Sequence, residues 1–298
     1  MLGEPRQVEA KRRTPLLHPR ATAFGRPRDF LHNHFVYLVL SSRAHGLSLG
    51  INVNPDKQCN FDCVYCEVDR RLPGIPATLD VEVMAEELRR TITFLQQGRL
   101  RDLPAYHNLP AELLQLRHVA LSGDGEPTLA SNFAEVVSAA FGVRALGGFP
   151  FFKMVLITNG SGLDQPVVQE GLELFTNSDE IWVKLDGGTQ EFLDKVNRPK
   201  ISLDKTLENI LTVARKRPVV IQSLFATCNG EEPTYSEIKQ YAERLKELRR
   251  GGANIPVVQI YSATRPPAHS DCEHLPLKVL SFIAQTVRNI AGLKAEVF

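Results

Sequence analysis

Leu47-Ser48-Leu49-Gly50-Ile51-Asn52-Val53-Asn54, closed by Pro55, has the alternation of a strand, and Cys59-Asn60-Phe61-Asp62-Cys63-Val64-Tyr65-Cys66 follows at once. Three thiols at C-x3-C-x2-C spacing therefore stand on the loop that leaves a strand. With five cysteines among 298 residues, chance produces that spacing about once in a thousand such chains, so the loop is read as a site.

Downstream of the cysteines, strand and helix patterns alternate. A helix is predicted over Thr78–Gln97, with Val81, Met84, Ala85, Leu88, Ile92 and Leu95 on one face and Thr78 or Asp80 as its cap. Strands are expected at His118–Leu121, Met154–Ile157, Ile181–Leu185, Val219–Phe225 and Val257–Tyr261. Helices are expected at Asn132–Phe141, Pro166–Phe175, Leu203–Lys216, Tyr235–Arg250 and Leu277–Ile290. About six β/α units imply parallel strands joined by right-handed crossovers with both sheet faces covered. The fold class is α/β, and periodicity leaves a partial barrel and an open doubly wound sheet both standing. In either, functional loops gather at the carboxyl ends of the strands.

Composition narrows the rest. A hydrophobic fraction of 43% and a charged fraction of 23% are those of a folded globular protein. Apolar runs such as Phe35–Leu40 fall far short of the roughly 20 residues of a membrane span, so no membrane partner is expected. The first residues lack the apolar segment of a secretory signal, which places the chain in the cytoplasm. Net charge is only +1, yet residues 1–44 hold eight Lys or Arg against three acids. Residues 1–35 are accordingly expected to form a basic, partly flexible arm, and residues 36–298 a core with a C-terminal strand and helix. Such an arm is either a solvated tail or a contact for RNA.

An odd cysteine count argues against a disulfide framework and for metal chemistry. A closed zinc site needs a fourth ligand, and the chain offers only the isolated Cys228 and Cys272 and unpaired histidines. Three thiolates on an iron–sulfur cubane leave one iron open to a substrate or cofactor.

The C-x3-C-x2-C spacing with an aromatic residue before its last cysteine resembles the radical S-adenosylmethionine (SAM) enzymes. The resemblance implies a partial (β/α)6 barrel and one [4Fe-4S] cluster on Cys59, Cys63 and Cys66. It also implies reductive cleavage of SAM to a 5'-deoxyadenosyl radical that abstracts hydrogen from a substrate. Ser122-Gly123-Asp124-Gly125-Glu126-Pro127 is similar to the family's Gly-Gly-Glu region, which marks Gly123, Gly125 and Glu126 for the methionine end of SAM. Thr158-Asn159-Gly160 resembles the family's polar SAM contacts and equally reads as an Asn-Gly turn. Tyr65 is placed near the adenine, or simply packs the loop. Lys184 and Asp186, two apart on one strand face, pair with ligand or with each other. These are read as cofactor-binding residues, and no catalytic residue is assigned.

Gly46–Asn52, the cysteine loop, Ser122–Thr128, Asn197-Arg198-Pro199 and Arg265-Pro266-Pro267 resemble one branch, the iron–sulfur oxidoreductases related to the tRNA wybutosine-biosynthesis enzyme 4-demethylwyosine synthase. The likeness runs over roughly residues 36–270. That enzyme carries a second cluster on cysteines upstream of the first, and here no cysteine precedes Cys59. No flavodoxin-like domain is apparent either, so the electron is expected from a separate flavodoxin- or ferredoxin-type donor. The substrate is not specified, with tRNA among the possibilities. The rival reading is a non-catalytic RNA-binding module stabilised by zinc or a cluster. Gln259, Tyr261 and Arg265 are expected on the substrate side. Cys228 and Cys272 read as a small buried hydrophobe and a polar-loop cysteine beside Asp271 and His274.

Overall fold

The computed structural model describes residues 30–74, 78–263 and 272–298. The basic arm through residue 29, together with Arg265, Pro266, Pro267 and Asp271, lies outside these residues.

Strands β1 (Val36–Ser41), β2 (Gly46–Asn52), β3 (Leu116–Ser122), β4 (Lys153–Thr158), β5 (Glu180–Lys184), β6 (Val219–Leu224), β8 (Val258–Tyr261) and β10 (Ala295–Val297) make one sheet in the order β1-β2-β3-β4-β5-β6-β8-β10. Only β1 is antiparallel to its neighbour; every other pairing is parallel. The sheet curls into a half-barrel, so of the two architectures the partial barrel is the one adopted. Helices α1 (Val81–Gln96), α2 (Phe133–Ala145), α3 (Pro166–Glu173), α4 (Gln190–Val196), α5 (Leu203–Ala214), α6 (Tyr235–Arg250) and α7 (Leu277–Ala291) connect the strands. A two-stranded ribbon of β7 (Ala226–Cys228) and β9 (Cys272–His274) stands apart from the sheet. No helix of the described residues is long and apolar enough to cross a membrane.

The predicted helix over residues 78–97 begins instead at Val81, because the Asp80 carboxylate accepts the Glu82 and Val83 N–H groups and so caps the first turn. Strand β1 lies where only an apolar run was noted. Its start is pinned by the buried Glu87 of α1, whose carboxylate accepts the backbone N–H groups of His34, Phe35 and Val36 at 2.6, 2.8 and 3.1 Å. Phe30 packs edge-on against Phe94 of α1 at 5.8 Å, so the last residues of the expected arm already belong to the packed body. Helix α4 escaped the periodicity because two turns carry too little pattern; Thr189 caps it by accepting the Phe192 N–H.

Period-two alternation sorts the strands' side chains into two sets. Val119, Leu121, Met154, Leu156, Ile181, Val183, Val219 and Ile221 join the main core. Ala120, Val155, Trp182 and Val220 form a separate cluster on the concave face, where His118 meets the Trp182 ring edge-on at 5.2 Å. Two residues further along the same strands the concave face turns polar, with Ser122, Lys184 and Gln222 lining a cleft at the carboxyl ends.

Candidate active site

The cysteine loop leaves β2 at Asn52 and is knitted to three other segments. Asp62 and Val64 donate their N–H groups to the carbonyls of Asn197 and Val196 at 3.0 and 2.9 Å, and Lys200 donates to the carbonyl of Asn60. The loop thus runs along the end of α4. Asn60 accepts from Asn159 Nδ2 at 2.9 Å and from Ser161 Oγ at 3.1 Å, which fastens the loop to the end of β4. Glu126 donates its N–H to the Gln58 carbonyl at 2.8 Å, fastening it to the loop after β3.

Cys59, Cys63 and Cys66 line one cleft together with Tyr65, Gly123, Gly125, Glu126, Thr158, Asn159 and Lys184. Of the residues predicted to hold the cluster or SAM, only Asp186 stands outside that lining. Burial raises the thiol pKa of Cys59 and pushes that of Cys63 up to about 11, so their thiolate forms call for cationic partners. Arg70 supplies one, donating from Nη1 to Cys66 Sγ at 3.1 Å and from Nη2 to the Asp124 carbonyl at 3.3 Å, while its buried Nε has no partner. Arg70 escaped the sequence reading, since four residues past the last cysteine it carries no motif of its own.

Glu126 is 3% exposed. Its Oε1 accepts from the Thr128 N–H, Thr128 Oγ1 and Thr158 Oγ1, and its Oε2 from the Asn159 N–H at 2.7 Å. Burial lifts its pKa against these four bonds. A carboxylate offers about four lone-pair sites, two to each oxygen, so Oε2 retains room for one more donor. Thr158 and Asn159 thereby act first on the protein, by orienting Glu126 and Asn60. The glycines also serve the protein: a Cβ at Gly125 would meet the Gln58 carbonyl at 2.1 Å, and one at Gly123, where φ is +135°, would meet Asn52 Oδ1 at 2.1 Å. They let loops touch each other.

Asp186, 2% exposed, is the hub behind the cleft wall. Its Oδ2 accepts from the Tyr65 hydroxyl and from Asn197 Nδ2 at 2.8 Å, and its Oδ1 from the Leu224 N–H at 2.8 Å. Lys184 Nζ lies 3.4 Å from the same Oδ2, 3.3 Å from the Tyr261 hydroxyl and 4.9 Å from the Tyr65 ring centre. Burial draws the Lys184 pKa down, but Asp186 and the groups around it outweigh that and hold it above its usual value. Burial and Asp186 together raise the Tyr65 hydroxyl. Asn197, 1% exposed, also donates from Nδ2 toward Cys63 Sγ at 3.4 Å. Of the two partners left open for Lys184 and Asp186, ligand or each other, the structure shows them paired with each other, and Asn197 joins the pair.

On the far side, Tyr261 lines the cleft with the Arg43 guanidinium 4.4 Å above its ring. Gln259 instead holds Gln222 at 2.8 Å.

Three thiols on one cleft make a soft donor set. A cubane places each thiolate on a different iron and leaves its fourth iron open, so the residues present fit such a group.

The chain has relatives in sequence and in fold. The chain is 26% identical over 240 residues to a UPF0026 protein of Helicobacter pylori, covering 78% of this chain and 69% of that one. It is 33% identical over 179 residues to a UPF0026 protein of Synechocystis, covering 59% and 57%. In fold it is similar to SuiB of Streptococcus suis bound to S-adenosylmethionine, with TM-score 0.57 and 13% identity; the match takes in 86% of this chain and 51% of SuiB, about half of that protein's length. It is also similar to TYW1 with a lysine-pyruvate adduct bound, with TM-score 0.56 and 15% identity over 88% and 86%. The Radical SAM superfamily profile matches residues 53–245, from the residue after β2 to α6. The chain therefore belongs to the radical SAM superfamily and is an enzyme of that kind, with a [4Fe-4S] cluster and SAM as its cofactors.

Proposed function

We propose that Cys59, Cys63 and Cys66 hold the [4Fe-4S] cluster, that the loop from Gly123 to Glu126 receives the methionine end of SAM, and that the reaction is hydrogen abstraction from an anionic substrate. When bound, the cluster and SAM supply one-electron cleavage of a sulfonium and the abstracting radical. The electron comes from a separate flavodoxin- or ferredoxin-type donor. The observation that carries the assignment is convergence: three thiols, the spare lone pair of Glu126 and the Lys184 ammonium open on one cleft at the carboxyl ends of parallel strands.

The chain's own residues have divided tasks. Glu126 Oε2 accepts an ammonium. Arg70 balances the charge of the sulfurs. Tyr65 lies across the loop, its hydroxyl held by Asp186, and keeps water from the sulfur behind it. Lys184, Arg43 and Tyr261 present two positive charges and a hydroxyl on the side away from Glu126, which favours a carboxylate or phosphate on the substrate. A phosphate belonging to tRNA is one such group, and it fits the basic arm and the likeness to TYW1.

Anaerobic reconstitution with iron and sulfide tests the assignment. Wild-type protein is expected to form 5'-deoxyadenosine from SAM after reduction, and Cys63→Ala to lose cluster loading and that product together. Wild-type product levels in the variant exclude Cys63 as a ligand. Parallel incubations with tRNA, peptide and small-metabolite pools, with deuterium traced from each pool into 5'-deoxyadenosine, identify the substrate class. Label from neutral molecules alone rejects the anionic reading.

A further inference from the structure

Two cysteines outside the cluster loop face each other across the β7–β9 ribbon. Cys228 and Cys272 are register partners on antiparallel strands, and their sulfurs are 3.0 Å apart. Both backbone groups of Cys228 are engaged on the opposite side, where its N–H and carbonyl exchange bonds with Glu231 at 3.0 Å. Cys228 and Cys272 therefore form a non-hydrogen-bonded pair, the arrangement that brings opposed Cα atoms to about 4.5 Å, inside the range that a disulfide spans. The turn Cys228-Asn229-Gly230-Glu231 holds this register, with Asn229 at φ +53° and Gly230 at φ +77° as a two-residue hairpin turn requires.

The pair is also reachable. Cys272 is half-buried and Cys228 buried. Both line a notch with Lys195 and Arg198 at its rim, each of which pairs with an acid, Glu231 and Asp62 respectively. Val64, the residue between Cys63 and Tyr65, forms another wall of the notch.

We propose that Cys228 and Cys272 are a reversible dithiol–disulfide couple, oxidised by a low-molecular-weight disulfide and stapling the ribbon behind the cluster loop. The accessible Cys272 thiolate attacks the external disulfide, forming a mixed disulfide and releasing one thiol. Cys228 then loses its proton and attacks the Cys272 sulfur, releasing the second thiol. Two protein thiols and one external disulfide become one protein disulfide and two external thiols. This couple does not depend on the cluster assignment.

The test is a glutathione titration of the full-length holoprotein, trapped by alkylation and resolved by peptide mass mapping. A Cys228–Cys272 cross-link is expected, with its midpoint at least tenfold toward the reducing side of the same chain in urea, about 30 mV for a two-electron couple. Free thiols or separate glutathione adducts at ratios that oxidise the unfolded chain overturn the proposal. In Cys272→Ser, Cys228 is expected to stay unmodified; Cys228 linked to Cys59, Cys63 or Cys66 overturns it. The Cys59→Ser, Cys63→Ser, Cys66→Ser triple variant retains only the pair and is expected to keep the midpoint. A shift beyond tenfold there makes the loop sulfurs the true exchange partners.

Discussion

The concave face of the half-barrel holds two regions separated by one period of the strand. At the amino side, Ala120, Val155, Trp182 and Val220 pack as a dry floor over which His118 lies, its pKa pushed down to about 3 by burial first and then by Lys153 and Arg43. At the carboxyl side, Ser122, Lys184 and Gln222 stand on the same strands and the same face, in a polar cleft. Identical backbone geometry thus serves both, and only the position along the strand decides whether a side chain is sealed among apolar neighbours or turned toward ligand. A charge is retained in the cleft because Asp186 and Tyr261 surround it; on the floor the only ionisable ring is kept neutral.

Removing the hub at the carboxyl side is expected to have the largest effect. Asp186→Ala leaves the half-buried Lys184 without its counter-charge and strips acceptors from Tyr65, Asn197 and the Leu224 N–H. Breaking a buried pair from one side costs about 3–5 kcal/mol, to be read as a lowered urea midpoint. A variant within 1 kcal/mol of wild type, by the same approximate scale, would make the network dispensable.

Glu126→Gln keeps the shape but loses the charge. Hydrogen bonds to charged groups contribute about 1.5–3 kcal/mol each, so SAM affinity is expected to fall at least tenfold with cluster loading intact. Titrating SAM against the cluster's paramagnetic resonance signal measures it, and an unshifted curve removes Glu126 from the binding site.

Between the two regions, the Tyr37 ring lies over Gly50 and its hydroxyl meets Ser122 Oγ at 2.8 Å. A Cβ at Gly50 would fall 2.1 Å from that ring. Gly50→Ala is expected to cost about 1–3 kcal/mol by overpacking, and a neutral result would mean the ring can move aside.

The smallest effect belongs to the floor. A His118 neutral in the folded state must bind a proton on unfolding once pH drops below the unfolded value near 6.5. Its stability contribution is whole above that value and declines as pH falls toward about 3. His118→Phe is expected to recover ~1 kcal/mol of the stability lost between about pH 7 and 5.5, measured by parallel urea titrations. Identical pH slopes for both proteins would place the imidazole in contact with water.

Much of the site was legible because its parts are local. The spacing of Cys59, Cys63 and Cys66 lies within eight residues, and Lys184 and Asp186 are two apart. Arg70, Asn60 and Asn197 were not legible as site residues, because each acts on a partner that only folding brings near; Asn197 reaches Tyr65 across 132 positions. Cys228 and Cys272 illustrate the same limit at 44 positions. Read one at a time, they suggested a buried hydrophobe and a polar loop, whereas their meaning lies in the register between two three-residue strands too short to show a period.

By itself the sequence determined the alternation of buried strands and amphipathic helices, and with it parallel pairing and loops gathered at one end, since those follow from side-chain periodicity and short connections. It also determined that three sulfurs share one loop. Only the tertiary structure decided that the sheet curls, which loops knit to the cysteines, that Asp186 stands behind the wall rather than in it, and that two distant thiols meet. These are outcomes of packing among segments far apart in the chain, where shape and hydrogen-bond satisfaction, not local pattern, select the neighbour.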